Sequence, residues 1–180
     1  MKKIIFFIFL LSLTHLNSQS LIDCNSNLSI FAEYYKVKNY EAAYDPWMSV
    51  RKECPKINPA IYFQGSRMLD EFIKNSEGEL KVSYQNDLLK LYDEWLTNFP
   101  AYNGRSIVGQ IMSNKAQKMF DYKLASKSEI YNLFENAYQT DPVSFDDPKP
   151  LYTYFKTYFE LYKEGNSEIT LSEIFNKFYL

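Results

Sequence analysis

The sequence lacks most of the residues on which enzymes and metal sites depend. Its 180 residues include one histidine, two cysteines and five glycines. The histidine, His15, lies in the amino-terminal segment over residues 1–20, and the rest of the chain has none. This excludes Ser–His and Cys–His catalysis there, together with most zinc sites. Because the glycines are scattered, no glycine-rich phosphate loop occurs either. We therefore expect a protein that is not an enzyme and that uses no cofactor.

An excess of charge of one sign is also lacking. The chain has 20 Lys and Arg against 22 Asp and Glu, a formal net charge of −2. Since no basic excess is present to neutralise phosphates, we expect no nucleic-acid partner. The small number of glycines argues against an all-β fold, which would need more of them in its turns. Apolar residues are plentiful at 46%, with aromatics at 18%, which is enough to build a core.

The amino terminus has the pattern of a secretory signal peptide. Two lysines precede an apolar run over residues 4–13, and a polar stretch, THLNSQS, follows it. The run is too short to span a bilayer, so we expect cleavage near Gln19 or Ser20. An uncleaved membrane anchor is the alternative. The sequence thus predicts a signal peptide over 1–20, a single domain over 21–180, and export to the periplasm or envelope of a Gram-negative bacterium.

Cys24 and Cys54 are the only cysteines. In an oxidising compartment two cysteines usually pair, so we expect a disulfide that closes a loop of about 30 residues. Two reduced, buried thiols are the alternative. A lipid anchor on Cys24, which would bring membrane association, is not expected. Asp23 stands where lipid attachment needs a small residue, and the apolar run lies too far upstream.

One spacing recurs three times and predicts the second helix of a helix pair. Steps of four and three place residues on one helical face, and a proline five residues later ends the helix. The members, at relative positions 0, 4, 7 and 12, are Ala43, Trp47, Val50 and Pro55; Leu88, Tyr92, Trp95 and Pro100; and Ile130, Phe134, Ala137 and Pro142. Pro46 lies inside the first of these helices, so we expect a kink or break at 42–45, or a helix restarted with Asp45 as N-cap.

Apolar residues at helical spacing also predict first helices over residues 27–37, 61–73, 107–122 and 151–162. A further helix is predicted after Gly165, capped by Ser167 or Thr170. It either docks on the preceding pair or leaves Phe175, Phe178 and Tyr179 exposed for a partner. The predicted fold class is all-α, a stack of antiparallel helix pairs with three to four repeats.

These helix pairs resemble tetratricopeptide repeats over about residues 24–165. Units of that family have about 34 residues and carry a small residue, an aromatic, a small residue and a proline at these offsets. Ile30 and Tyr34 match the family's apolar and aromatic positions in the first unit, and Gly65 matches its glycine in the second, whereas Phe31 stands where that glycine is usual. The prolines are 45 and 42 residues apart, so we expect longer turns at 74–81 and 124–128.

A looser likeness connects the chain to exported tetratricopeptide-repeat proteins of Bacteroidetes-type bacteria. It rests on the stretch YYKVKNYEAAYDPW and the ECP that follows. This likeness implies a location and a fold, and no activity.

The resemblance also implies where ligands would bind, because first helices line the inner curve of such arrays. The candidate binding residues are Tyr35, Lys36, Tyr62, Ser66 and Asn114. The stretch TDPVSFDDPKP is rich in carboxylates, but it lacks the ordered set of six to eight oxygens that calcium needs. We interpret it as a turn between helices and expect no metal.

The function that these features favour is non-catalytic. We expect an exported protein that binds or scaffolds a protein or peptide partner in the cell envelope, through aromatic anchors with a polar rim. The alternative is a module that binds glycans or other small ligands on exposed aromatic side chains.

Overall fold

The computed structural model describes residues 23–165 and 170–178, with side chains described as far as residue 176. The predicted signal peptide, the candidate cap Ser167 and the side chains of Phe178 and Tyr179 lie outside this range. The chain divides into two compact units, Met1–Phe72 and Ile73–Leu180, with the boundary inside a helix.

The described residues are mainly helical, and adjacent helices pack as antiparallel pairs. This confirms the predicted all-α class. The helices are α1 (23–36), α2 (Tyr40–Glu53), α3 (Ala60–Lys74), α4 (Gly78–Asn98), α5 (Val108–Asp121), α6 (Lys127–Thr140), α7 (Pro148–Lys163) and α8 (Leu171–Phe178). A short antiparallel hairpin, β1 (Ala101–Tyr102) and β2 (Arg105–Ser106), follows α4.

The three predicted second helices, α2, α4 and α6, end as the prolines require. Each stops two residues before its proline, and the residue between has left the helical conformation. These capping residues, Cys54, Phe99 and Asp141, have φ values of −136°, −140° and −154°. Each still donates its backbone N–H to the carbonyl four residues earlier. The three acceptors, Val50, Trp95 and Ala137, occupy the same position of the repeated spacing. The repeated spacing therefore marks both a buried face and a helix end.

The predicted break in α2 is wrong. The helix runs without interruption through Pro46, and its N-cap is Asn39, whose side chain accepts from the backbone N–H of Ala42 at 3.3 Å. Asp45 therefore lies inside the helix and does not start it. The packing of Ala43, Trp47 and Val50, all 0% exposed, offsets the backbone hydrogen bond that proline cannot donate.

The first unit is built around Trp47. Its indole N–H donates to the carbonyl of Ile61 at 2.7 Å, and the guanidinium of Arg51 lies 5.0 Å from its ring centroid. On α3, a Cβ added to Gly65 would lie 2.5 Å from Nε1 of Trp47, so only glycine lets the two helices approach this closely. Tyr44 and Phe72 meet edge to face at 5.7 Å beside this contact.

The buried side of α1 differs from the one that the resemblance implied. Ile30 and Tyr34, expected inside, are 41% and 40% exposed, while Phe31 is 0% exposed. The reason is the bond between Cys24 and Cys54, whose Cα atoms are 6.2 Å apart. Because Cys24 and Phe31 are two helical turns apart on one face, the disulfide turns that face toward α2. The predicted cysteine pairing is confirmed.

The second unit has its core between α5, α6 and α7. Phe134 and Ala137 of α6 are fully buried, as their spacing predicted, and Phe134 stacks on Phe145 at 6.1 Å. Tyr154 of α7 lies 5.8 Å from Phe145 and closes the cluster. Helix α7, predicted to be apolar on more than one side, buries Thr157 completely as well.

The loops differ from the predicted long turns. Only residues 75–77 separate α3 from α4, so the predicted extended turn at 74–81 is wrong, and α4 itself extends over 21 residues. The additional length lies instead in the hairpin after Pro100, which the sequence analysis did not predict. The turn predicted at 124–128 is present in part, since α6 begins there with the capping box of Ser126 and Glu129.

A membrane-spanning helix is not found in the described part of the chain. None of its helices combines the length and the apolar character needed to cross a bilayer.

Replacing Gly65 with Ala should destabilise the protein. The added methyl group overlaps the indole of Trp47, and overpacking of this kind lowers the free energy of unfolding by about 1–3 kcal/mol. Urea unfolding followed by circular dichroism measures the loss. Asn132→Ala, an exposed change on α6, is the control and should stay within about 0.5 kcal/mol of wild type. Equal stability of Gly65→Ala and the control would contradict this packing.

Reduction of the disulfide should lower the free energy of unfolding by about 3–4 kcal/mol, because it restores the entropy of the open loop to the unfolded chain. The Cys24→Ser/Cys54→Ser variant should show the same loss without reductant. Intact mass measured with and without reductant should differ by two hydrogens. An unchanged mass would show that the thiols are free.

Candidate functional site

The candidate binding residues on α1 are partly accessible. Tyr35 is half-buried, and its ring lies 5.9 Å from that of Phe31 and 5.6 Å from that of Tyr40. Lys36, next to it, is exposed. The ring of Tyr35 thus bridges two aromatic neighbours within the first unit, which leaves only one side of it for a ligand.

The two candidates on α3 lie in the interior. Tyr62 is 0% exposed and donates its hydroxyl to the carbonyl of Pro55 at 2.9 Å; Ser66 is 7% exposed and donates to the carbonyl of Phe63 at 3.0 Å. Both side chains were expected to be exposed. Instead Tyr62 packs in the core and holds the loop at Pro55, and Ser66 bonds to its own helix. Asn114, in the second unit, donates to its own helix at the carbonyl of Gln110.

A different surface exposes large apolar side chains. We call it the α7–α8 aromatic surface, and it comprises Tyr152, Phe155 and Phe159 on α7 with Leu171 and Phe175 on α8. Tyr152, Phe159, Leu171 and Phe175 are 66%, 40%, 54% and 58% exposed, and Phe155 is half-buried. Phe155 and Phe159 stack at 6.4 Å, so their rings form one continuous apolar strip along α7.

Helix α8 is fixed on α7, as one of the two predicted alternatives required. Ile174 is 5% exposed and packs with Tyr158 and Leu161. Thr170 caps the helix: its hydroxyl accepts from the N–H of Glu173, and its own N–H donates to the Glu173 carboxylate at 2.7 Å. Because Leu171 and Phe175 flank the inward-facing Ile174, docking leaves them at the edge of the contact.

Charged groups border the aromatic strip. Lys163 lies 5.8 Å from the ring centroid of Phe159. Lys127 pairs with Glu160 at 3.3 Å and with Glu164, and the hydrogen bond to Glu164 is the main cause that raises the pKa of this lysine. The aromatic strip is therefore bordered by charged residues on the side facing α6. Protein interfaces have the same arrangement, an apolar centre within a polar rim.

Between α6 and α7 a carboxylate holds two phenols. Glu135 accepts hydrogen bonds from the hydroxyls of Tyr131, at 2.7 Å, and of Tyr154. Tyr131 stacks on Tyr158 at 4.9 Å. Burial, and then the hydrogen bond to Glu135, raises the pKa of both Tyr131 and Tyr154 well above the ordinary value. Both phenols stay protonated at any physiological pH. Their hydrogen bonds to Glu135 therefore hold α6 and α7 together and do not serve to transfer a proton.

The hairpin presents a second exposed group. Asn103 and Gly104 form its turn with φ values of 49° and 74°, the left-handed conformations that a tight hairpin turn requires. Tyr102 pairs with Arg105 across the strands, and the tyrosine is 55% exposed. An aromatic and a guanidinium thus stand side by side on a short rigid element.

Asp141 anchors the hairpin to the helices. Its carboxylate accepts from the hydroxyls of Ser106 and Ser144, both at 2.6 Å, and Ser144 in turn accepts from the N–H of Gln110. The hydrogen bond from Ser106, followed by that from Ser144, lowers the pKa of Asp141 to about 2. The carboxylate-rich stretch after α6 forms the predicted turn. Asp141 also accepts from the backbone N–H of Gly109 and so holds this turn to the start of α5.

A polar cleft of about 540 Å³ lies in the first unit beside the disulfide. Its lining includes the carboxylates of Asp23 and Glu53, and Glu53 pairs with Lys52 at 3.3 Å. The cleft is open and holds no convergent set of reactive groups. Within residues 23–165 and 170–178 no three His, Cys, Asp or Glu side chains are grouped so that they could hold a metal ion.

Comparison of the chain with protein-family models, with curated proteins and with solved structures finds no match. The tetratricopeptide-repeat resemblance therefore stays a prediction from the sequence.

Sequence reasoning missed the hairpin, and of the α7–α8 aromatic surface it named Phe175 alone. The dipeptide Asn103–Gly104 was the available signal for the hairpin, since it is the strongest short-range mark of a two-residue turn. The aromatic strip had a weaker signal, the apolar excess of the segment LYTYFKTYFELY, which has more aromatic positions than one buried face can cover.

Asp141→Asn should weaken the protein at neutral pH and not in acid. Because the pKa of Asp141 is lower in the folded than in the unfolded state, the carboxylate contributes stability above about pH 4 and loses it as the pH falls toward 2. At pH 6 we expect a loss of about 1 kcal/mol, typical of a helix-end hydrogen bond. Urea unfolding between pH 2 and 7 measures it. A loss that is constant over this range would contradict the role of the charge.

Proposed function

We propose that this protein is a non-catalytic, exported helical-repeat protein that binds a protein partner in the cell envelope through the α7–α8 aromatic surface. The observation that carries the proposal is the group of four large apolar side chains, each 40–66% exposed, on two helices that pack on each other. Large exposed apolar side chains grouped on neighbouring helices often mark a site where another protein binds.

The chemistry of the surface suits a protein ligand. Aromatic side chains bury a large area and lose little entropy, which is why they are enriched where proteins bind one another. Phe159 and Phe175 would be the anchors, and Lys163 would contribute to a polar rim. Glu135 on α6 accepts hydrogen bonds from Tyr131 and from Tyr154 of α7, so α7 is already held in place before a partner binds. Binding therefore costs little conformational entropy of this helix.

Export is supported by two observations. The amino-terminal segment has the pattern of a signal peptide. The paired Cys24 and Cys54 are compatible with an oxidising compartment, where disulfides persist. Similarity to tetratricopeptide repeats belongs to the same proposal, and the recurrence of an identical helix end in α2, α4 and α6 supports it.

Site-specific photo-crosslinking in the native envelope tests the proposal. A benzoylphenylalanine at position 159 or 175 should form a discrete adduct with one envelope protein. The matched control is position 34 on α1, where Tyr34 is as exposed as Phe159 but lies outside the proposed surface. Phe175→Ser should reduce the adduct at 159 roughly tenfold or more, as expected for a central aromatic anchor. The same adducts at position 34, or none at 159 and 175, would overturn the proposal.

Glycan binding, the alternative, has one observation in its favour, the 66% exposed ring of Tyr152, which could stack on a sugar. Thermal shift separates the two functions, because a ligand that binds only the folded state raises the melting temperature. We expect a rise with the crosslinked partner, once purified, and none with envelope oligosaccharides. A rise with an oligosaccharide that Tyr152→Ala removes would instead establish the glycan function.

A further inference from the structure

The hairpin is exposed along both strands, and its two cross-strand pairs lie on opposite faces. In an antiparallel pair, partners across the strands share a face and successive residues alternate between faces. Ala101 pairs with Ser106, whose hydroxyl is bonded to Asp141. The Ser106 hydroxyl thus ties this face to α6 by a hydrogen bond, while the side chains of Ala101 and Ser106 are themselves exposed. The other pair, Tyr102 and Arg105, must then be turned outward, and both side chains are exposed.

The backbone of the hairpin is fixed at both ends, so Tyr102 and Arg105 are anchored side by side at their Cα atoms. The N–H of Ile107 donates to the carbonyl of Pro100 at 3.0 Å and closes the ladder at its base. At the tip, Asn103 and Gly104 have the turn conformation that matches the twist of the strands. A ligand on the outer face would therefore order the two side chains but not the backbone.

Arg105 is a cation without a counter-ion. Within the described residues its guanidinium has no ion pair, hydrogen bond or ring contact, and Tyr102 beside it has none either. The other two arginines are engaged: Arg51 lies over Trp47 and Arg67 lies over Phe63 at 5.9 Å. Tyrosine and arginine are also the residue types that contribute most when protein interfaces form.

We propose that the outer face of the hairpin binds an acidic segment of a protein partner. The guanidinium of Arg105 would take an aspartate or glutamate carboxylate through two parallel hydrogen bonds, and the ring of Tyr102 would cover the neighbouring apolar atoms of that segment. Charge complementarity selects this occupant. An acidic sugar would need several convergent polar groups, whereas among the described residues only this pair lies on the face.

Fluorescence anisotropy on the processed protein tests the proposal with a labelled acidic peptide rich in Asp, Glu and Leu. Its isostere, with Asn and Gln in place of the acids, is the ligand control. We expect the acidic peptide to bind at least tenfold tighter than the isostere, and more weakly as salt rises. Arg105→Gln and Tyr102→Ala should each weaken it about tenfold, and Arg105→Lys should recover only part, because an ammonium cannot form the bidentate pair.

Arg67→Gln is the matched control, since it removes the other exposed arginine and should leave the affinity unchanged. The melting temperatures of the Arg105 and Tyr102 variants should equal that of the wild type, because neither side chain contacts the fold. Equal binding of peptide and isostere, or full binding by Arg105→Gln, would overturn the proposal. Tighter binding of an oligogalacturonate than of the peptide would also overturn it.

This site is independent of the α7–α8 aromatic surface, and the two can fail separately. A variant carrying Phe159→Ser and Phe175→Ser should bind the acidic peptide as the wild type does. Crosslinking at position 159 should in turn survive Arg105→Gln if that surface alone holds the partner. Loss of peptide binding in the Phe variant would show that the hairpin does not act by itself.

Discussion

Three non-helical residues, each followed by a proline, determine much of the structure. A residue before proline cannot easily remain helical, so Cys54, Phe99 and Asp141 end their helices while still closing the last hydrogen bond. Two of the three also connect their helix to another. Cys54 carries the disulfide to α1, and Asp141 holds the hairpin and the start of α5. The end of a second helix is thus a place where covalent or charged contacts join neighbouring elements.

The interior of each unit follows from close helix contacts that tolerate little change. Gly65 lets α3 approach the indole of Trp47, and the indole N–H then finds a buried carbonyl on Ile61. In the second unit stacked aromatic rings make the close contact between helices, with Phe134, Phe145 and Tyr154 in one cluster. Such packing determines which side chains remain exposed, among them Tyr152 and Phe159 of α7 and Phe175 of α8.

The sequence could predict the second helices better than the first ones. The positions of Trp47 and Phe134 in the core follow from period and proline alone, because both signals are local. The face of α1 does not, since it is set by a disulfide between residues 30 apart in the chain. Tyr62 and Ser66 were expected outside because the resemblance placed them there, whereas contacts with the loop at Pro55 and within α3 place them inside. Of the kink or break expected at 42–45, the break did not occur, because packing outweighs one missing hydrogen bond.

The disulfide has a mechanical consequence. Cys24 stands near the start of α1 and Cys54 immediately follows α2, so the bond joins the two ends of this helix pair. A pulling force applied from the amino end would pass through the two sulfur atoms directly to the chain beyond Cys54. The residues between them, 25–53, would bear none of that load and could not be extended by it while the bond is intact.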